Sequence, residues 1–200
     1  MSASERFPLR RRELARALLV EPRDLLVVAG LGSTAWDVTA AGDRPLNFPL
    51  WGAMGGAAMV GLGLALAQPE RRVLVITGDG ELLMGMGSLA TIAVQHPRNL
   101  AIVVFDNERY GETGMQTTHT AHGVDLAGVA AACGIPLTGT LREQREVNAA
   151  VSVIRTAPGP ILYVAKVRAE PLPFALPPKD GAYLKDRFLH ALLEGRGPAS

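Results

Sequence analysis

The chain has 200 residues, of which 48% are hydrophobic and 20% are charged, and its formal net charge is +1. This composition is too apolar for a disordered chain, and the near-zero charge excludes the strongly basic surface of a nucleic-acid-binding protein. The single cysteine, Cys133, excludes a disulfide framework and a cysteine-rich metal site, and it favours a reducing, cytoplasmic compartment. The length fits one domain over residues 1–200.

Two segments could be mistaken for targeting or membrane signals. Three arginines at positions 10–12 precede an apolar stretch, but charged residues interrupt it, so the pattern predicts an amphipathic first helix instead of an export signal. Residues 48–67 carry no charge and are long enough to span a bilayer. Because Pro49 and five glycines interrupt this stretch, we expect a closely packed buried helix or a contact with a partner subunit, and no membrane span.

Four short apolar runs alternate with helical patterns along the chain. The runs are continuous, as in strands buried on both faces of a parallel sheet. They are Leu25–Ala29, Val73–Thr77, Leu100–Phe105 and Ile161–Val167. Helices are predicted over 81–95, 125–133, around 147–154, and over about 182–193 after a proline-rich tail that starts near 171. This alternation predicts an α/β fold, a doubly wound and mostly parallel sheet with helices on both faces.

Glycine-rich and polar turns follow the predicted strands, at the edge where parallel sheets bind ligands. Gly78, Asp79 and Gly80 open a helix, and the free N–H groups at a helix start suit a phosphate. Because the Asp79 carboxylate would repel a phosphate, a hard divalent cation such as Mg²⁺ is expected between them. Asn107 follows the next strand, with 26 residues between it and Gly80, and offers a second oxygen. Taken separately, the two elements could still be a tight turn and a cap.

Together these motifs resemble the cofactor-binding segment of thiamine diphosphate enzymes. Residues 78–92 and 106–116 are most similar to sulfopyruvate and phosphonopyruvate decarboxylases, and the resemblance runs from about Arg11 to the C-terminal helix. It covers only the pyrophosphate-binding module of those enzymes. The resemblance implies the β-type subunit of a two-subunit, thiamine diphosphate- and Mg²⁺-dependent 2-oxo acid decarboxylase, or the C-terminal half of a fused one.

The resemblance also implies a role for individual residues. Asp79 and Asn107 would bind Mg²⁺ through their side chains, and Arg109 through its main-chain carbonyl group. The Gly52 carbonyl would accept a hydrogen bond from the aminopyrimidine, and Met54 would be the catalytic wedge that bends the cofactor, with core filling as the alternative. The implied cofactor-binding residues are Gly32, Ser33, Thr34, Gly52, Met54, Gly78, Asp79, Gly80, Glu81, Asn107 and Tyr110.

Some residues depart from the family pattern. Glu81 stands where serine or alanine is more usual; it favours a helix start but adds a carboxylate near the diphosphate. Glu112 is a candidate catalytic residue for substrate or proton handling, where similar enzymes more often have a small hydroxyl residue. His119 and His122 lie in the following loop and could face the substrate, although single loop histidines more often have no catalytic role.

The resemblance further implies a partner. In this family the glutamate that activates the cofactor belongs to the other module, for which the chain has no spare length. We therefore expect activity only as a hetero-oligomer with a pyrimidine-binding α-type subunit, on a small anionic 2-oxo acid such as sulfopyruvate or phosphonopyruvate.

Three other functions remain open. They are a thiamine diphosphate carboligase or decarboxylase of uncharged 2-oxo acids, a nicotinamide-dependent oxidoreductase, and a non-catalytic scaffold subunit. Gly30 and Gly32 begin a dinucleotide fingerprint, but Ala35 stands where its third glycine belongs.

Overall fold

Helices and strands alternate along the chain in the computed structural model, which describes residues 6–20 and 24–194. The helices are α1 (Arg11–Leu18), α2 (Ser33–Ala41), α3 (Ala57–Ala67), α4 (Asp79–Met84), α5 (Ser88–Gln95), α6 (Leu126–Ala132), α7 (Gln144–Thr156) and α8 (Gly181–Glu194). The strands are β1 (Leu26–Ala29), β2 (Asn47–Pro49), β3 (Val73–Gly78), β4 (Leu100–Asp106), β5 (Arg109–Tyr110), β6 (Gln116–Thr117), β7 (Leu137–Leu141) and β8 (Ile161–Lys166). A 3-10 turn covers His119–His122.

Six strands form one parallel sheet in the order β2-β1-β3-β4-β8-β7. The four predicted strands are the four inner ones, so the doubly wound α/β fold is confirmed. The short edge strands β2 and β7 were not predicted. Strand order reverses between β1 and β3, which makes the carboxyl ends of these strands the expected ligand-binding crevice.

Each face of the sheet has its own apolar core. Side chains of α1, α2 and α7 pack on one face, against alternate residues such as Ile76 and Val103. Side chains of α3, α5, α6 and α8 pack on the other face, against the intervening residues such as Val75 and Ile102. Burial on both faces explains why the inner strands are apolar at nearly every position.

The predicted helix over 81–95 is wrong as a single element. It is divided into α4 and α5, with a turn at residues 85–87. At Gly85 a Cβ atom would lie 2.1 Å from the carbonyl oxygen of Gly55, so the chain must pass a neighbouring backbone there. The predicted helices in the regions of α1, α6, α7 and α8 are confirmed, whereas α2 was not predicted.

The uncharged segment over 48–67 contains β2, a turn and α3. Among the residues that the structure describes, none forms a helix of the length and apolarity needed to cross a membrane.

The proline-rich segment over 168–180, which we call the strap, leads from β8 to the opposite end of the sheet. The Arg12 side chain donates a hydrogen bond to the Pro173 carbonyl group. The rings of Trp36 and Phe174 meet edge to face, with centroids 4.6 Å apart. Trp51 Nε1 donates to the Pro178 carbonyl group over 2.8 Å, after which α8 packs beside β2. The strap therefore contacts α1, α2 and the segment before α3 between the end of β8 and the start of α8.

Candidate active site

A cleft opens at the crevice where the strand order reverses. Most of the predicted site residues lie along it, on the turns after β1, β3 and β4 and on the segment before α3. The cleft is lined by Leu31, Ser33, Met54, Gly78, Asp79, Gly80, Glu81, Phe105, Asn107, Arg109, Tyr110, Gly111, Glu112 and Thr113. Three predicted residues, Gly32, Thr34 and Gly52, are not part of this lining.

The turn after β1 leads directly into α2. Gly32 has a φ of +72° and precedes the helix without any side-chain cap, so the first N–H groups of α2 are free for a ligand. A Cβ atom at Gly32 would lie 2.9 Å from Oε1 of Glu112, which is a second reason for glycine. Thr34 points inward, since its hydroxyl group donates to the Gly30 carbonyl over 2.8 Å. Gly32, Ser33 and Thr34 were predicted on this turn, and only Ser33 lines the cleft.

Asp79 is the buried acid of the site. It is 2% exposed; its Oδ2 accepts a hydrogen bond from the Thr118 hydroxyl group over 2.5 Å and lies 3.2 Å from the Thr120 hydroxyl oxygen. Burial raises the pKa of Asp79 from 3.8 to about 7; the Asp106 charge adds to the rise, and the two threonines oppose it. A nearby cation would favour the ionised carboxylate again.

Asn107 follows β4 at the same edge of the sheet. Its Oδ1 accepts a hydrogen bond from the Arg109 N–H over 2.9 Å, which fixes the amide at the turn. Asp79 and Asn107 both line the cleft, whose lining contains no thiolate or imidazole group. Carboxylate, amide and carbonyl oxygens form a donor set that fits a hard divalent cation. Within 6–20 and 24–194 there is no group of three or more His, Cys, Asp or Glu side chains that could hold a metal ion by themselves.

A buried polar network behind the cleft was missed by the sequence analysis. Thr120 donates to Asp106 over 2.8 Å, and Asp106 accepts a hydrogen bond from the Glu108 N–H over 3.1 Å. Lys166 Nζ lies 2.7 Å from Oδ2 of Asp106 and 3.0 Å from Oε1 of Glu108. The network connects the end of β8 to the turn that carries Asn107. The one available signal was a lysine inside the otherwise apolar run Ile161–Val167.

The antiparallel hairpin of β5 and β6 forms the outer wall of the cleft. Tyr110 covers the GDG turn, since a Cβ atom at Gly80 would lie 2.5 Å from the Tyr110 ring. Glu112 is exposed at the hairpin end; partial burial raises its pKa, and the Arg11 charge opposes the rise. Neither His119 nor His122 lines the cleft, and His122 Nε2 lies 3.2 Å from the Thr117 hydroxyl group.

The segment before α3 forms the opposite wall. Ala53 and Gly55 have φ values of +56° and +92°, so this turn occupies backbone regions that few residues adopt. Met54, between them, lines the cleft and is 38% exposed. Gly52 lies two residues away on the exposed side of the same turn.

Glu81 contributes to the cleft floor, but its carboxyl group points inward. It is 4% exposed, and its Oε2 accepts a hydrogen bond from the Thr77 hydroxyl group over 2.7 Å. Burial raises the pKa of this carboxyl group, and the hydrogen bonds that it accepts oppose the rise. The carboxyl group therefore packs beneath the cleft.

Comparison with known proteins identifies the family of the chain. The sequence pattern of the family described as thiamine pyrophosphate enzyme, C-terminal TPP binding domain, matches residues 30–165. The chain is 37% identical over 187 residues to sulfopyruvate decarboxylase subunit beta of Methanococcus maripaludis, covering 92% of this chain and 98% of that protein. It is 40% identical over 161 residues to phosphonopyruvate decarboxylase of Streptomyces viridochromogenes, covering 80% of this chain but only 40% of that protein.

A solved structure shares the fold. A putative thiamin diphosphate-dependent enzyme from Mycobacterium smegmatis superposes with a TM-score of 0.70 at 24% identity, covering 82% of this chain and 32% of that one. The family pattern, which begins at residue 30 and ends at residue 165, includes all the residues that line the cleft. This chain belongs to the thiamine pyrophosphate enzymes, as a member of their C-terminal TPP-binding domain family.

Proposed function

We propose that the chain is the β-type subunit of a thiamine diphosphate- and Mg²⁺-dependent decarboxylase of a small anionic 2-oxo acid, of the sulfopyruvate or phosphonopyruvate type. The observation that carries the proposal is the buried carboxyl group of Asp79 on the same cleft as Asn107, in a chain that belongs to this family. The substrate class rests on the activities in the names of the similar decarboxylases.

Different residues of the cleft would bind the Mg²⁺ ion and the diphosphate group. Asp79, Asn107 and the Arg109 carbonyl group would hold Mg²⁺, which would offset the negative charge of the diphosphate. The free N–H groups at the start of α2, around Ser33, would bind the diphosphate from the other side. When bound, thiamine diphosphate supplies the electron sink that allows a 2-oxo acid to lose carbon dioxide.

The other wall of the cleft would orient the ring system. Met54 is supported on a constrained turn and would press the aminopyrimidine toward the thiazolium ring. The Gly52 carbonyl group would accept a hydrogen bond from the 4′-amino group. Glu112 reaches the cleft from the hairpin and could exchange a proton with the substrate, since partial burial raises its pKa.

An apolar surface beside the cleft supports a partner subunit. Helix α3 has no charged residue, yet Met59, Val60 and Leu66 are 43%, 38% and 51% exposed. Met84 and Met86 are also exposed, at the turn between α4 and α5. A helix that is apolar on all sides is normally buried, so this surface fits an α-type subunit that also supplies the cofactor-activating glutamate.

The test is calorimetric titration of thiamine diphosphate into the chain, with and without Mg²⁺, alone and with the candidate partner subunit. We expect binding that requires Mg²⁺ and becomes tighter with the partner. Asp79→Ala and Asn107→Leu should each weaken it on the order of 100-fold, since loss of a hydrogen-bond partner behind a metal ligand already costs about 10- to 100-fold. Asp24→Ala, at an exposed aspartate, is the matched control. Equal binding with and without Mg²⁺ would contradict the proposal.

Activity separates the remaining functions. A panel of 2-oxo acids, with product analysis, distinguishes decarboxylation of anionic substrates from carboligation or decarboxylation of uncharged ones. Full activity of Asp79→Ala in the complex would favour a scaffold subunit. Met54→Ala should lower turnover more than cofactor affinity. The family assignment argues against the nicotinamide-dependent alternative, whose fingerprint is already incomplete at Ala35.

A further inference from the structure

The buried carboxyl group of Glu81 contacts segments on both sides of the cleft. A Cβ atom at Gly30 would lie 1.7 Å from Oε2 of Glu81, so the turn after β1 packs directly on this oxygen. The same oxygen accepts the hydrogen bond from Thr77. The other oxygen, Oε1, has no hydrogen-bond partner of normal geometry, although it is buried. Burial raises the pKa of this carboxyl group, and the Thr77 hydroxyl group and the backbone N–H groups of Ala57 and Gly55, at the start of α3, oppose the rise.

Helix α3 has no cap of its own. Its N-cap residue is Gly56, no side chain there accepts a hydrogen bond, and the first turn contains no acidic residue. The first N–H groups of an α-helix have no partner within the helix, and they favour a nearby negative charge. Glu81 is a buried carboxyl group at this position, contributed by a different helix.

A second contact one helical turn later reinforces the first. Residues 81 and 85 lie on the same face of the chain leaving the GDG turn, because they are four positions apart. A Cβ atom at Gly85 would lie 2.1 Å from the Gly55 carbonyl oxygen, so the two backbones touch. These contacts lie beside the turn in which Ala53 and Gly55 have positive φ angles.

We propose that Glu81 is a positioning residue, which fixes the turn over 52–56, and with it Met54 and the Gly52 carbonyl group, relative to the GDG turn. The role of Met54 in this inference rests on the proposed function. Glu81 acts through these residues and does not touch the cofactor, because its carboxyl group points away from the cleft. The glutamate after GDG, where the family more often has serine or alanine, would thus have a structural role in this chain.

The first test needs no cofactor. Hydrogen exchange is measured on the full chain without ligands for wild type, Glu81→Gln, Glu81→Asp and the control Glu70→Gln, which changes an exposed glutamate. The glutamine keeps the shape and an acceptor for Thr77, but its NH₂ group faces the N–H groups of α3. We expect exchange at residues 55–60 to rise about tenfold or more in Glu81→Gln, with β4 unchanged. Glu81→Asp has a shorter side chain, and its exchange rate at residues 55–60 should lie between those of wild type and Glu81→Gln. If Glu81→Gln does not fold, the comparison of Glu81→Asp with wild type is the test.

The second test separates positioning from binding and from general destabilisation. In the complex with the partner, Glu81→Gln should lower kcat on the order of 10- to 100-fold, as small misplacements of catalytic groups do. The KM for thiamine diphosphate should change less than about threefold, since the Mg²⁺ and diphosphate residues stay in place. Unchanged exchange at 55–60, or a loss that appears only in KM, would overturn the inference. A wild-type complex without activity would overturn the proposed function and this use of Met54, while the exchange result still decides whether Glu81 fixes the turn.

Discussion

Asp37 is almost completely buried in α2, where it faces two arginines of α1. Arg11 Nε lies 3.3 Å from Oδ2 of Asp37, and Arg12 Nε lies 3.4 Å from Oδ1. Burial nevertheless raises the pKa of Asp37 from 3.8 to about 6, because desolvation exceeds the attraction of the two guanidinium groups. The folded chain therefore binds a proton here at a pH where the unfolded chain does not.

This shift predicts a pH-dependent difference between wild type and Asp37→Asn. The stability that Asp37 contributes is complete below pH 3.8 and is lost as the pH rises through about 6. The shift amounts to about 3 kcal/mol in the free energy of unfolding. Urea unfolding between pH 4 and 7.5 should show wild type gaining stability relative to Asp37→Asn as the pH falls. A constant difference between the two proteins over this range would contradict the prediction.

Two glycines of α3 lie two positions apart in very different surroundings. A Cβ atom at Gly61 would lie 2.2 Å from Cγ2 of Val75, whereas a Cβ atom at Gly63 would meet nothing within 4 Å. Gly61 therefore allows α3 to approach β3, whereas Gly63 lies on the exposed apolar surface of α3.

The two alanine variants should therefore change stability in opposite directions. Gly61→Ala overpacks the contact with β3 and should cost about 1–3 kcal/mol. Gly63→Ala should stabilise the isolated chain by about 0.5–1 kcal/mol, since alanine favours the helix and meets no neighbour. Chemical denaturation of both variants beside wild type measures the two changes in the free energy of unfolding. Equal changes for the two variants would contradict the close approach of Gly61 to Val75.

The inner strands of the sheet could be predicted from local sequence patterns, whereas the two edge strands could not. The runs that became β1, β3, β4 and β8 are apolar enough to identify from sequence. β7 is half-buried and β2 has three residues with a proline, so neither stands out from a loop. The break between α4 and α5 depends on the approach of Gly55 to Gly85, which a pattern along one segment does not reveal.

The candidate site could be predicted to a similar extent. The motif identified the residues on the turns after β1, β3 and β4, because they are close in sequence to strands that were already assigned. Thr118, Thr120 and Lys166 were missed, since they reach Asp79 and Asp106 from distant parts of the chain. The inward orientation of Thr34 and Glu81 likewise depends on neighbours from other segments.

The exposed apolar surface of α3 gives a prediction for the whole assembly. Val60→Lys places a charge on this surface and should abolish association with the α-type subunit, because an unpaired charge in an interface is costly to desolvate. The fold of the isolated chain should be unchanged, since Val60 is 38% exposed. Ser152→Lys, on the exposed side of α7, is the matched control. Analytical ultracentrifugation of each mixture measures the association, and a stable complex of Val60→Lys would place the partner elsewhere.

The position of β8 between β4 and β7 has a consequence for protein synthesis. β4 is buried along its whole length, yet one of its two edges has no partner until residues 161–166 leave the ribosome. An unpaired apolar strand of this kind is a template for pairing with other chains. A nascent chain stopped at residue 158 should therefore sediment with aggregates, whereas one that includes β8 should remain in the supernatant. The sheet closes only after residues 161–166 have been added, so we expect the ribosome or chaperones to shield the open edge of β4 from the synthesis of β4 until then.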